Sequence, residues 1–281
     1  GVNMGEAADN LSNQRGGLDE ALSEKFNVTN GMERRFLEGD PQVIENFRTA
    51  GGCFIPNFLE PWLANQMNSF MAIECPSDWW SYCTAETIGT GDKARVQNRE
   101  VFQIFAENKG ERDAMYHGAL KDFKDKKFAF SYSRQQGNYK GLWKFHKEGC
   151  DCFICTQNTT GIFRPDGEFE AAISKIVGSP HKISTIQWTR FSAGDFLAPH
   201  TDKGNGNIAF SLYLTKDWHP MWGGNLTFIS PEGYISDTVP SQFNSLVLFD
   251  VGKSDAMHAV SPVINNIQQS RYAITGWLRA A

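Results

Sequence analysis

The sequence predicts an α+β protein whose C-terminal third closes into a β-sandwich or barrel, with helices gathered ahead of it. Two observations carry this. From His181 onward the chain runs in short alternating or apolar segments, ISTIQWTRF, NIAFSLYLT, GNLTFIS, SLVLFDV and RYAITGWL, separated by Gly, Pro, Asn and Asp. Closely spaced runs of this kind are strands of an antiparallel architecture. Ahead of them, several segments carry helical periodicity or helix punctuation instead.

Taken in order, residues 1–30 are polar and rich in Gly, Asn and Ser, and read as an arm. Residues 31–281 read as a single domain, helix-rich to about 180 and β-rich from about 181. In GDPQVIENFRTAG, Asp40 stands as an N-cap, Pro41 at the first helical position and Gly51 at the stop, with Val43, Ile44 and Phe47 on one side. GCFIPNFLEPWLANQMNSFMAIECP reads as a short strand and then a helix opening at Pro61, with Leu63, Met67, Phe70 and Met71 in one stripe. Between Pro76 and Pro180 come aromatic-rich loops (DWWSYC and GLWKFHKEGCDCFIC), helices at ERDAMYHGALKDF and EFEAAISKIVG, and a strand at KFAFSYSR. Trp79, Trp80, Trp143 and Phe145 could wall a pocket or fill a core, and burial is the commoner use of such side chains.

Composition narrows the partners. The formal charge of -5 over 281 residues offers no basic footprint, so neither nucleic acid nor an anionic membrane surface is an expected partner. The sequence lacks the roughly 20 continuous apolar residues of a membrane span, and its first residues lack the basic-then-apolar layout of a secretory signal, so a soluble, cytoplasmic protein is expected. Six cysteines are too sparse for a disulfide scaffold in a chain of this length, and free thiols are the expectation.

The chemistry concentrates in FLAPHTDKGNGNIAFSLYLTKDWHPMWGGNLTF. His200 and Asp202 stand two apart at the entry to the β-region, where strand alternation points them to one side. Of the six histidines, only His258 lies at the edge of a later core strand, in LVLFDVGKSDAMHAVSPV. Two histidines and a carboxylate on one face of a six-coordinate ion leave adjacent positions open, the facial arrangement of non-haem Fe(II) oxygenases. Further on, in QQSRYAITGWL, Arg271 and Thr275 are four apart and share a strand face. A guanidinium inside a barrel needs an anion, best held in bidentate fashion, and a dicarboxylate co-substrate would supply it. The hydroxyl of Tyr213, on the strand after the H-x-D, could reach the same anion.

The stretches APHTD, SLYLTKDW, WGGNLTF, PEG, SLVLFDVGKSDAMHAVSPV and RYAITGW occur in an order that resembles the prolyl-hydroxylase-like branch of the Fe(II)/2-oxoglutarate-dependent dioxygenases. The resemblance covers about Ile186 to Leu278, and more faintly GCFIPNFLEP. It implies a double-stranded β-helix, a jelly-roll or cupin-like barrel with N-terminal helices packed on one sheet. It implies His200, Asp202 and His258 as ligands of Fe(II), and Arg271, Tyr213 and Thr275 as the 2-oxoglutarate site. The reaction implied couples oxidative decarboxylation of 2-oxoglutarate by O2 to hydroxylation of an unactivated C–H, on a peptidyl or free amino acid such as proline or on another small metabolite. Phe191 stands where many relatives have tyrosine, and the segment from His258 to Arg271 is a few residues longer than in close relatives, the extra residues being assigned to a turn at INN. Phe191, Asn205 and Trp222 are the substrate-pocket candidates.

Other readings stay open beside this one. A halogenase normally dispenses with the carboxylate ligand, whereas Asp202 is present. Nucleic-acid demethylases of the fold carry a second arginine six residues beyond the first, where this chain has Trp277. A non-catalytic β-sandwich binding module would leave His200, Asp202 and His258 incidental. In HKEGCDCFIC, His146, Cys150, Cys152 and Cys155 are soft ligands suited to zinc, but C-x-C-x-x-C departs from the usual paired patterns, so thiols without a metal are expected.

Overall fold

The computed structural model describes residues 31–87, 101–106, 108–135, 146–202, 204–252 and 257–281. The expected arm, Trp143, Phe145 and Lys203 lie outside the described residues. The chain opens with helices α1 (Arg34–Glu38) and α2 (Pro41–Ala50). In α2 the Asp40 carboxylate accepts from the Gln42 and Val43 N–H groups, and Gly51 closes the helix at φ 72. A cap, a proline at the first position and a left-handed stop explain why the helix begins and ends there. Strand β1 (Gly52–Ile55) leads to α3 (Pro61–Ser69), whose last residues widen into a π-helical turn at Phe70–Glu74. Strands β2 (Ser81–Thr87) and β3 (Val101–Phe105), helix α4 (Lys109–Lys124) and strand β4 (Phe130–Gln135) follow, then α5 (Phe153–Thr159) and α6 (Glu168–Val177). The remainder is β: β5 (His181–Phe191), β6 (Phe196–His200), β7 (Ile208–Tyr213), β8 (Leu226–Ile229), β9 (Ile235–Val239), β10 (Ser245–Asp250), β11 (Met257–Val260) and β12 (Arg271–Ala280).

These strands make one antiparallel sheet in the order β1-β10-β7-β12-β5-β4-β6-β11-β8-β9, with β2 attached beside β4 and β3 beside β2. The sheet curls into a double-stranded β-helix. Strand β4 makes the bend: its first residues, Phe130 and Ser131, pair with β6, and its last, Ser133 to Gln135, pair with β5. The half that contains β5, β7, β10 and β12 is buried on both faces, and alternation sorts its side chains. Ile186, Trp188, Phe210, Leu212, Leu246, Leu248, Ile274 and Leu278 pack outward in one cluster with Phe47, Leu63, Met67, Phe169, Ile173 and Ile176 of the helices. Ala209, Tyr213, Val247, Phe249 and Ala273 pack inward with Leu226 of the opposite half.

Two features of the N-terminal half differ from the sequence reading. Strands β2 and β3 join the sheet through β4, and the segment read as an aromatic-rich loop up to Cys155 turns into helix α5. Strand β2 begins inside the aromatic-rich DWWSYC stretch and pairs with β4, and β3 pairs with β2; strands this short are set by their partners more than by local pattern. No helix among the described residues is long and apolar enough to cross a membrane.

Candidate active site

The inward faces of both halves enclose a cavity of about 510 Å³. Its polar lining comes from alternate residues of β5 and β12, including Thr185, Gln187, Thr189, Arg271 and Thr275, while Phe128, Phe130 and Tyr132 make an aromatic wall. His200 ends β6 and His258 stands opposite it in β11, directly paired across the strands. Asp202 follows β6 by two residues, and its carboxylate lies 3.3 Å from His200 Nε2 and 3.0 Å from His258 Nε2. One ligand atom from each of the three lies within 4.8 Å of the others, so they could hold a single ion. The Nδ1–H of His200 donates to the Ala198 carbonyl over 2.9 Å, so in the neutral ring a metal would bind Nε2, on the side of Asp202. Burial works against a charge on Asp202, but His200 and His258 outweigh it and hold the carboxyl well below the usual carboxylate range. Burial likewise disfavours charge on His200, and Asp202 reverses that and raises it.

Arg271 opens β12 and is 2% exposed. Its guanidinium lies between two rings, with Cζ 4.8 Å from the centre of Phe191 and 5.0 Å from that of Tyr213. Phe191 in turn stacks on Tyr132 at 5.0 Å and 7°. The rings favour the cation only modestly. Burial lowers its affinity for a proton, opposed by Tyr213, and both Arg271 Nε and the Tyr213 hydroxyl are buried without a hydrogen-bond partner. Buried donors without acceptors are costly, so this pair fits an anionic ligand. Gly224, at φ 67, keeps the guanidinium's place open: a Cβ there would come within 2.8 Å of Arg271 Cδ. Thr275 shares the strand face of Arg271 and accepts from Gln187 Nε2 over 3.3 Å, while Gln187 Oε1 accepts from Arg134 Nη1 over 2.9 Å.

The structure therefore gathers His200, Asp202, His258, Arg271, Tyr213, Thr275, Phe191 and Asn205 around one cavity. Trp222 does not line that cavity. It closes the one-turn helix Pro220–Trp222, which lays its ring edge-on against Trp218 at 5.3 Å. Trp80 is core, and Trp79 packs against His146. Tyr132, Arg134 and Gln187 had no motif to mark them; the one available signal, for Gln187, is that polar side chains alternate with apolar ones in TIQWT.

Residues 186–279 match the family model of the 2OG-Fe(II) oxygenase superfamily. The chain carries a 2OG-Fe(II) oxygenase domain. The oxygenase aligns with a prolyl hydroxylase from Trichoplax adhaerens, solved in complex with a hypoxia inducible factor oxygen degradation domain peptide fragment, at 17% identity and TM-score 0.51, over 88% of this chain and 91% of that one. It also aligns with a prolyl-4-hydroxylase from Pseudomonas putida at 15% identity and TM-score 0.42, over 85% of this chain and 98% of that one. A 2OG-Fe(II) oxygenase family oxidoreductase from Burkholderia pseudomallei aligns at 12% identity and TM-score 0.46, over 85% and 93%. No curated protein matches the sequence. The oxygenase is an oxidoreductase, with Fe(II) as cofactor and 2-oxoglutarate and O2 as cosubstrates. The donor set fits that assignment, with two imidazoles and a carboxylate for iron and a buried arginine, unpartnered at Nε, for a dicarboxylate.

Proposed function

We propose that the oxygenase hydroxylates an unactivated C–H of an amino-acid residue, peptidyl or free, with proline the leading candidate. His200, Asp202 and His258 hold Fe(II), and Arg271, Tyr213 and Thr275 hold 2-oxoglutarate. Supporting this is one observation above others: the buried guanidinium of Arg271, unpartnered at Nε, shares a cavity with the His-Asp-His group. Bound iron and 2-oxoglutarate supply the oxidation of the C–H, coupled to decarboxylation of the keto acid. The chain supplies position and exclusion. Arg271 and Tyr213 fix the distal carboxylate, His200 keeps its lone pair on the metal side through Ala198, and the aromatic wall of Phe128, Phe130 and Tyr132 suits an apolar ring such as pyrrolidine while keeping bulk water from the reacting carbon. Asp202 favours hydroxylation over halogenation because it occupies the position a halide would need. The peptidyl reading follows the fold likeness to the Trichoplax enzyme, whose structure holds a peptide.

The test is an anaerobic titration with Fe(II) and 2-oxoglutarate, following the visible charge-transfer absorption that appears when a keto acid chelates iron. The wild type should give the band, Asp202→Ala should give none, and Arg271→Ala should need far more keto acid to reach it. A full band in Asp202→Ala would sink the ligand assignment. Prolyl peptides and free proline, offered with O2, should then be checked by mass spectrometry for a single added oxygen, and turnover on neither class would sink the substrate reading.

A further inference from the structure

A second group of soft ligands lies apart from the cavity. His146, Cys150, Cys152 and Cys155 each place a ligand atom within 4.8 Å of the others. The sulfurs converge on one nitrogen: His146 Nδ1 is 3.3 Å from Cys152 Sγ, 3.3 Å from Cys155 Sγ and 4.0 Å from Cys150 Sγ. An imidazole lone pair can accept one S–H, so the nitrogen by itself satisfies one of the three thiols. A tetrahedral ion would engage all three. With Zn–S near 2.3 Å and Zn–N near 2.0 Å, an undistorted tetrahedron sets nitrogen and sulfur about 3.5 Å apart, within the range of the distances found.

The surroundings fix the ligand form. His146 is fully buried, and its Nε2 lies 2.7 Å from Gln135 Oε1. That acceptor keeps the proton on Nε2 and leaves Nδ1 as a bare lone pair facing the sulfurs, the outer hydrogen bond that metal-bound histidines require. Cys152 Sγ accepts the Cys155 N–H at 3.4 Å at the start of α5, and Cys155 is fully buried. Trp79 closes the remaining side of the imidazole edge-on at 5.4 Å.

We propose that His146, Cys150, Cys152 and Cys155 form a closed structural zinc site, a role that the free-thiol expectation from their unusual spacing had set aside. Binding displaces one proton from each of the three thiols and none from the imidazole, and four protein ligands leave no position for substrate. The site's place gives its purpose. Gln135 ends β4, the strand that joins the two halves of the sheet, and its neighbour Arg134 points the other way, into the cavity. Zinc thus braces the outside of the strand whose inside presents Tyr132 and Arg134 to the cavity.

The test uses the full chain, without a polyhistidine tag and with its thiols reduced. Metal content should be about one zinc per chain, retained in Asp202→Ala and lost in Cys155→Ser. Zinc absent from the reduced wild type even after addition of one equivalent and desalting would overturn the proposal, as would zinc lost in Asp202→Ala but kept in Cys155→Ser. Because Cys155→Ser could fail to fold, Co(II) is loaded into the wild type in parallel. Thiolate-to-cobalt absorption in the near ultraviolet with intense tetrahedral bands in the visible is expected. Cobalt bound without thiolate absorption would place the metal on nitrogen and oxygen ligands and overturn the site. Neither readout depends on turnover, so failure here is separate from failure of the hydroxylase reading.

Discussion

Arg271 shows how one residue acquires a function from its burial. Two rings flank it and nothing accepts from its Nε, so its charge is stabilised in full only when an anion arrives. Removing one partner of a buried charge pair costs about 2–5 kcal/mol, and Arg271→Ala should therefore weaken 2-oxoglutarate binding by at least about 30-fold, read by calorimetry on the Fe(II)-loaded anaerobic protein. Arg271→Lys should recover only part of this, since a point charge replaces a planar fork. Gly224→Ala tests the space around the same side chain. Its Cβ would press on Arg271 Cδ from a backbone at φ 67, so 2-oxoglutarate affinity should fall while Fe(II) affinity holds. Equal loss of both would mean that the substitution disturbs more than the arginine. The WGGN stretch was legible as a motif in the sequence, but its reason was not, because the contact between Gly224 and Arg271 spans 47 residues.

At the scale of the element, the turn between β5 and β6 carries a titrating group. Asp195 accepts from the Ser192 N–H at 2.8 Å and from the Ser131 hydroxyl at 2.7 Å, and Ser131 meets the Tyr82 hydroxyl at 2.7 Å. Burial outweighs these bonds and pushes its carboxyl up to about 7. With the folded value above the unfolded one of 3.8, the native state holds the extra proton between them. The group's contribution is therefore complete below pH 4 and is lost as pH rises towards 7, by at most about 1.4 kcal/mol per pH unit. Asp195→Asn should flatten that part of the stability profile, measured by urea unfolding between pH 5 and 8; an unchanged slope would show that Asp195 is already ionised at pH 5. Elements with local signals were readable in advance. Asp40, Pro41 and Gly51 bound α2, and the β5, β7, β10 and β12 runs name themselves by apolar alternation. Elements defined by partners were not: β2 pairs with β4 and β3 with β2, and α5 begins at a cysteine whose sulfur caps it.

Over the whole molecule, the sheet divides its side chains between two jobs by parity. Outward residues such as Leu248 and Ile274 hold the helices, and inward residues such as Arg271 and Thr275 line the cavity. Leu248→Ala should cost about 2–5 kcal/mol of stability, measured by urea unfolding, with 2-oxoglutarate affinity preserved in the folded fraction. Thr275→Ala should do the reverse, weakening the ligand while leaving stability within about 1 kcal/mol. Equal effects of the two on both measurements would deny the division. This partition could be written down from the sequence for the strands around the H-x-D motif, whereas the aromatic wall could not, because Phe128, Phe130 and Tyr132 carry no pattern that separates a cavity lining from a core.

The same parity governs how such a chain can change over generations. Strand β12 pairs with β5 and β7 along most of its length, and it is reached through a segment that turns at Asn265 and Asn266, with Asn266 at φ 61. A residue gained in that turn alters only the length of a surface excursion. A residue gained inside β12 exchanges its faces, sending Arg271 towards the helices and Tyr272 into the cavity. The turn can therefore lengthen one residue at a time, while the interior of β12 can lengthen or shorten only in steps of two.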